Sequence, residues 1–359
     1  MKYLKFLGIA ILLMTLSCSK NNSDDEVTTF AVNELLTDVT NNDILPAVAR
    51  FVEESDLLDR SLSTYLEETN EVNLIAAQEQ WRVTALAYAN IFVFNIGEVR
   101  DNFLNFALYN WPTSPNGIEN AIMNNDEITD EMVANLSPQI KTLSAIEYLL
   151  FEGTNEAIIA SYEESVNRQN YLDFVGNDLV TQSIRLQEIW LAPNNYATTF
   201  INNEGTGINS SFNLFYNGLF NLIDTGKVTK IGKPAGLENS ENIDPETTQA
   251  FYSNTSLALL RENILSVRNV YFKTNGLGVA DYVLSITDNT ILNDAVAIKI
   301  DEVIGAIDAI PTDLFSAISS NPTEVAALHS RLGELGVLFS VDLRSVLSIT
   351  ITSTDNDGD

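Results

Sequence analysis

From Phe30 onward, apolar side chains recur at spacings of three and four residues, and this period constrains the chain more than any other feature. Residues three and four apart share one face of an α-helix, whereas a half-buried strand alternates at two. Leu35, Leu36 and Val39 begin the pattern, and Ile44, Val48, Phe51, Val52, Leu57 and Leu58 carry it past Pro46. A second amphipathic run follows through Leu74, Ala77, Trp81, Thr84, Ala85, Tyr88 and Phe92, with Gly97 near its end. Trp111-Pro112, Pro115 and Asn116-Gly117 mark an irregular connection, and Ser137-Pro138 is a helix start with proline in the first turn. Residues 143–151 (LSAIEYLLF) are apolar nearly all round, which predicts a helix buried on several sides. Another long helix is expected over residues 162–190.

The run Ala192-Pro193-Asn194-Asn195 and the glycines at 205 and 207 then interrupt the period. They divide the chain into bundle 1, residues 30–195, and bundle 2, residues 205–359. In bundle 2 helices are expected over residues 208–225, 245–273, 279–287, 291–310 and 322–339. Residues 226–236 (GKVTKIGKPAG) read as a solvated basic loop, and the β-branched stretch 346–352 as an extended segment. The expected fold class is all-α, two tandem helical-bundle halves packed together, with no solenoid repeat.

Residue counts then remove chemistries. The 359 residues hold 49 Asp and Glu against 19 Lys and Arg, for a net charge of −30, so no surface could neutralise a run of nucleic-acid phosphates. His329 is the single imidazole and Cys18 the single thiol, which excludes zinc fingers, HExxH peptidases, haem attachment by CxxCH and any disulfide framework. Cys18 has another use. Lys2 and Lys5 precede an apolar run from Phe6 to Leu16, too short for a membrane span and suited to a secretory leader. Thr15 stands where a lipoprotein leader would carry leucine, with Leu16 one place late, and Ser17 supplies the small residue before the cysteine.

Residues 1–17 are therefore read as a lipoprotein signal peptide, Cys18 as the lipid attachment site and residues 18–29 as a flexible tether. Loss of the leader removes two lysines and leaves −32 on the mature chain. The expected location is the cell envelope, anchored by lipid, with the outer membrane and its outer surface as the favoured face.

Several segments, in order, resemble the imelysin family, the insulin-cleaving membrane peptidase class of bacterial envelope proteins. They are Trp81-Arg82 leading to Gly97, Tyr109-Asn110-Trp111-Pro112, the helix from Ala145 to Phe151, and residues 227–234. Further along come residues 251–265 (FYSNTSLALLRENIL), 275–281 (NGLGVAD) and 355–359 (DNDGD). The resemblance implies an all-helical fold of two packed halves, and a GxHxxE motif on the helix between them. Here the motif positions are Thr142, Ser144 and Glu147, so only the acid is kept. An acidic residue that the family leads one to expect eleven positions after Trp81 is Phe92. A His and a Glu three apart on a helix can ligate one metal together, whereas Ser and Glu make a far poorer pair.

Thr142, Ser144, Glu147, Trp81 and Arg82 are therefore the candidate cleft, with no catalytic residue assigned. Glu147 is the one candidate metal ligand, iron or calcium being the ions considered. A buried carboxylate must be paired or protonated, and Arg82 is the expected partner if the role is structural. Trp81, Tyr88, Trp111 and Tyr148 are expected in the core, His329 on a solvated helix face beside Arg331 and Glu334, and Lys227, Lys230 and Lys233 in solvent. Acidic pairs such as Glu53-Glu54, Glu67-Glu68 and Glu163-Glu164 fit exposed helix faces. Asp355, Asp357 and Asp359 resemble the opening of a calcium loop whose remaining ligands never come.

The expected function is a non-catalytic binding or uptake component, linked to iron or other ligand acquisition. It would contact the membrane through its lipid, take a small or polymeric ligand, and leave nucleic acid alone. The alternatives are an envelope metallopeptidase and a structural or interaction lipoprotein.

Overall fold

The structure is a computed structural model that describes residues 30–352 apart from 126 and 239–241. The leader over 1–17, Cys18, the tether up to residue 29, and Asp355, Asp357 and Asp359 lie outside the described residues. No strand occurs among the described residues, and no helix among them is long and apolar enough to cross a membrane.

The first helix, α1 (Val32–Val39), runs through a wide π-turn at Thr40–Ile44 into α2 (Leu45–Glu67). Pro46 explains the turn. Its ring has no N–H to give and would clash with the carbonyl one turn back, and a widened turn relieves both. Asn70 then caps α3 (Glu71–Ile91) by accepting from the Asn73 N–H at 2.9 Å. Such caps are worth roughly 0.5–2 kcal/mol. α2 and α3 form a hairpin, and α4 (Leu143–Phe151) is buried from Leu143 to Leu150, as its apolar circumference predicts.

The helix expected over 162–190 is two elements, Asn155–Glu163 and α5 (Val166–Trp190), because Ser165 starts the second by capping the Arg168 N–H. α5 lies along α2. The C-terminal half contributes α6 (Ser211–Thr225), α7 (Ser256–Tyr271), α8 (Ile291–Asp308) and α9 (Pro322–Val337), with α8 against both α7 and α9. α3 packs on α7, and α6 packs on the short turn Phe92–Phe94. Gly218 makes the second approach possible. A Cβ there would sit 2.5 Å from the Val93 carbonyl and 2.8 Å from the Ile96 side chain.

Three expectations change in this half. Residues 226–232 are not a solvated loop but a π-turn that continues α6, with Lys230 inside. The helix expected from Pro245 starts only at Ser256, since Ala250 and Asn254 take positive φ values of 58° that a helix does not allow. Residues 349–352 form no strand, and α9 instead continues through a π-turn at Leu338–Leu343 to a final turn at Arg344–Leu347. Asn213 and Asn217 on α6 serve this segment as a sheet neighbour would. Their side-chain oxygens accept from the Thr350 and Thr352 N–H groups at 2.9 Å, and their amides donate back to the Thr350 carbonyl.

Candidate functional site

Leu143 to Leu150 occupy the centre of the N-terminal half, so whatever polar groups α4 carries must find partners inside the protein. Thr142 and Ser144 find the same one. The Asn110 N–H donates to Thr142 Oγ1 at 3.0 Å, and the Ser144 hydroxyl donates to the Asn110 carbonyl. The two hydroxyls also touch each other at 3.1 Å. Trp81, fully buried, donates its indole N–H to the Leu143 carbonyl at 2.8 Å. Together these bonds clamp the connection Tyr109-Asn110-Trp111 onto the start of α4.

Glu147, only 2% exposed, finds Ser253. Both the N–H and the hydroxyl of Ser253 donate to Glu147 Oε1 at 2.8 Å. The N–H is free to do so because residues 248–255 are a turn rather than the expected helix. Burial pushes the carboxyl up to about 7, against the opposing effect of the Ser253 and Tyr252 hydrogen bonds and of Arg82. Arg82 is thus not the direct partner expected. Its guanidinium pairs with Glu79 at 2.5 Å, lies 4.8 Å from the Phe151 ring centre and reaches the Ser253 carbonyl at 3.5 Å. It supports the turn that holds Glu147.

Beside Phe92 and Trp111 lies Lys230, 4% exposed. Its amine donates to Asn263 Oδ1 and stands 5.8 Å from the Phe92 ring centre and 5.6 Å from that of Trp111. No carboxylate is within ion-pair distance among the described residues, and burial holds the amine down near 7. Phe92, where an acid was expected, therefore offers an aromatic face instead of a counter-charge.

In front of these residues opens a cleft of about 170 Å³, walled by residues 88–111 on one side and by α6 with its π-turn on the other. One set of lining residues is aromatic: Tyr88, Phe92, Phe106, Tyr109 and Trp111. These rings continue inward, Trp111 meeting Tyr109 at 5.8 Å and Tyr109 meeting Trp81 at 6.4 Å. The other set is polar and neutral: Asn95, Asn105, Asn110, Asn221, Thr225 and Thr229. Arg100 is the one charged side chain in the lining. Asn95 Oδ1, Asn105 Oδ1, Asn221 Oδ1 and the Tyr109 hydroxyl are buried atoms without a hydrogen-bond partner. Native interiors leave few such atoms, and these four belong to residues of the lining, although each atom is itself shielded from solvent. Thr142, Ser144 and Glu147 are not in that lining but behind it, bracing Asn110 and the turn at Ser253.

The imelysin family model, designated peptidase M75, matches residues 44–336. The chain belongs to the imelysin family. Iron-regulated protein A of Synechococcus elongatus is 24% identical over 245 residues, 66% of this chain, which spans about 63% of that relative's length. An imelysin-like protein from Psychrobacter arcticum superposes with a TM-score of 0.74 at 19% identity, covering 90% of this chain and 98% of that one. A candidate iron-regulated protein A precursor from Parabacteroides distasonis gives 0.74 at 18%, covering 88% and 94%. These solved imelysin-like structures share the all-helical fold.

In this imelysin chain the motif positions do not fit a metal ion. The Ser144 hydroxyl is spent on a carbonyl, and Glu147 Oε1 takes two donors from Ser253. Among the described residues no group of three or more His, Cys, Asp and Glu side chains converges on one point.

His329 also departs from expectation. It is 17% exposed, and its Nε2 lies 2.6 Å from Glu238 Oε1, which Lys227 shares at the same distance. Although burial opposes it, these two hydrogen bonds hold the Glu238 carboxyl below its usual range. Lys233 is exposed, as expected, and so are Glu67, Glu68, Glu163 and Glu164. Trp81, Tyr88 and Tyr148 are buried, and Trp111 is half-buried on the cleft. Sequence reasoning missed Ser253, Asn95, Asn105 and Asn221. The Asn110-Trp111 connection was the signal nearest to them.

Proposed function

We propose that this imelysin chain is a non-catalytic binding component of the cell envelope that captures a ligand in the cleft between its halves and serves iron acquisition. The observation that carries the reading is a division of labour. The degenerate motif residues are used up in structural hydrogen bonds, while the cleft in front of them is lined by aromatic and carboxamide side chains and Arg100, none of which the motif uses. The name iron-regulated protein A, borne by the Synechococcus relative and the Parabacteroides neighbour, supports the link to iron. Cys18 after its apolar leader supports anchoring by lipid, with the outer surface of the outer membrane as the proposed site. A net charge of −32 on the mature chain holds its body off anionic lipid.

The test pairs metal analysis of the purified full chain with a broad peptide-cleavage assay. Neither stoichiometric metal nor chelator-sensitive cleavage is expected. Bound metal, with cleavage lost in Glu147→Ala, overturns the reading in favour of a metallopeptidase. For the anchor, Cys18→Ala is expected to move the protein from the membrane to the soluble fraction, and unchanged retention contradicts it.

A further inference from the structure

The cleft's charge runs against that of the chain. The sequence carries more than two acidic residues for each basic one, yet the lining holds Arg100 and no Asp or Glu. Lys230, beside the Phe92 and Trp111 rings and without a carboxylate in ion-pair distance among the described residues, adds to the same sign. Arg100 is available to a ligand. Its ion pair with the neighbouring Asp101 is 3.9 Å long, beyond hydrogen-bond reach, and Asp101 is exposed, so solvent screens the pair. A planar guanidinium fork matches a carboxylate. The carboxamides agree in sign. Asn95, Asn105 and Asn221 have shielded oxygens, which leaves the N–H2 edge of each as the polar end a ligand can meet. A metal cation would meet positive charge and donors, whereas an anion is complemented by both.

The turn that carries Arg100 adds a second condition. Three residues on, Phe103 takes a positive φ of 55°, a conformation that strains any residue with a side chain. Its ring is 67% exposed and its centre lies 6.5 Å from that of Phe106, which is 41% exposed and belongs to the cleft lining. The core makes little use of either ring. A strained turn thus holds an exposed aromatic pair beside a guanidinium, and Trp111 continues the aromatic wall inward. Apolar faces next to a cation suit an anion with a carbon body; inorganic phosphate would keep its water and leave the rings bare. The single guanidinium of the lining also balances the one charge of a carboxylate rather than the two of a phosphate dianion.

We infer that the cleft binds a carboxylate borne on a flat apolar body, the chemistry of an aromatic acid. Its charge lies on the Arg100 guanidinium, its carbon body against Phe103, Phe106 and Trp111, and the Asn221 amide meets it from α6. This rests on the reading of the cleft as the ligand site and names the ligand's class. Iron would enter as a complex of such an acid, because the lining has no Asp, Glu, His or Cys to hold the ion itself. Three substitutions spare the fold. Arg100→Gln breaks no short ion pair. Phe103→Gly removes the ring and relieves the positive φ. Asn221→Leu replaces a carboxamide whose oxygen bonds nothing in the protein.

The experiment is ligand-detected NMR and calorimetry on the full chain in detergent. The probes are benzoate, 2,3-dihydroxybenzoate and its ferric complex, with neutral benzamide, acetate, citrate and inorganic phosphate as comparisons. At least one aromatic acid, free or as the ferric complex, is expected to bind tenfold or more tighter than benzamide and acetate. Its affinity is expected to fall tenfold or more in each of Arg100→Gln, Phe103→Gly and Asn221→Leu, at unchanged melting temperatures. If benzamide binds as well as benzoate, or only citrate or phosphate binds, and the variants weaken that binding, the cleft stands as a ligand site and the aromatic-acid assignment falls. If no probe binds, or binding survives all three substitutions, the cleft reading falls as well.

Discussion

The buried carboxyl of Glu147 can be tested by removing its ability to ionise. Its value rises from 4.5 to about 7 in the fold. A carboxyl whose folded value is raised contributes stability that is fully present below 4.5 and is lost as pH climbs through 7, because the folded state keeps a proton that the unfolded state has released. At 1.36 kcal/mol per unit the loss approaches about 3 kcal/mol. Glu147→Gln keeps an oxygen for the Ser253 N–H and hydroxyl and cannot ionise. Urea unfolding of both proteins at pH 5, 6, 7 and 8, at constant salt, isolates the effect, since all other titrating groups are common to the pair. The stability difference is expected to move by about 3 kcal/mol in favour of the variant between pH 5 and pH 8, at equal denaturant slopes. Parallel curves would mean that the carboxylate is solvated or paired with a cation after all.

The opposite sign is expected at Lys230, whose amine falls from 10.5 to about 7. Its stabilising contribution is present above 10.5 and lost as pH falls to 7, so Lys230→Met should gain about 2 kcal/mol over the wild type between pH 8.5 and 5.5, read by the same unfolding series. Gly218→Ala would drive a methyl group against the Val93 carbonyl. A loss of about 1–3 kcal/mol is expected on chemical denaturation, together with weaker binding of any cleft ligand because α6 is forced back.

Much of the architecture was legible because burial of one helix face leaves a period of three and four in the sequence. That rule found α2, α3 and α4, and even the run through Pro46, though not the π-turn that accommodates it. It failed where backbone direction depends on distant contacts. Nothing in AFYSNT announces positive φ at Ala250 and Asn254, yet this turn is what aims the Ser253 N–H at Glu147. Lys230 reads as solvent-exposed because three lysines stand among glycines, and only the packing of Phe92 and Trp111 around it reveals a buried amine. The motif helix was found by resemblance, and its loss of Gly and His was visible at once. The carboxamides of the cleft were not visible, since Asn95, Asn105 and Asn221 belong to separate elements and share no sequence pattern.

On the proposed function, ligand capture belongs to the cleft while the motif residues behind it are structural. Titrating the best-binding probe into Asn221→Leu and Glu147→Gln side by side at pH 6 tests it most directly. Asn221→Leu is expected to lose affinity tenfold or more at an unchanged melting temperature, whereas Glu147→Gln is expected to bind like the wild type. Binding abolished in Glu147→Gln and intact in Asn221→Leu would contradict it.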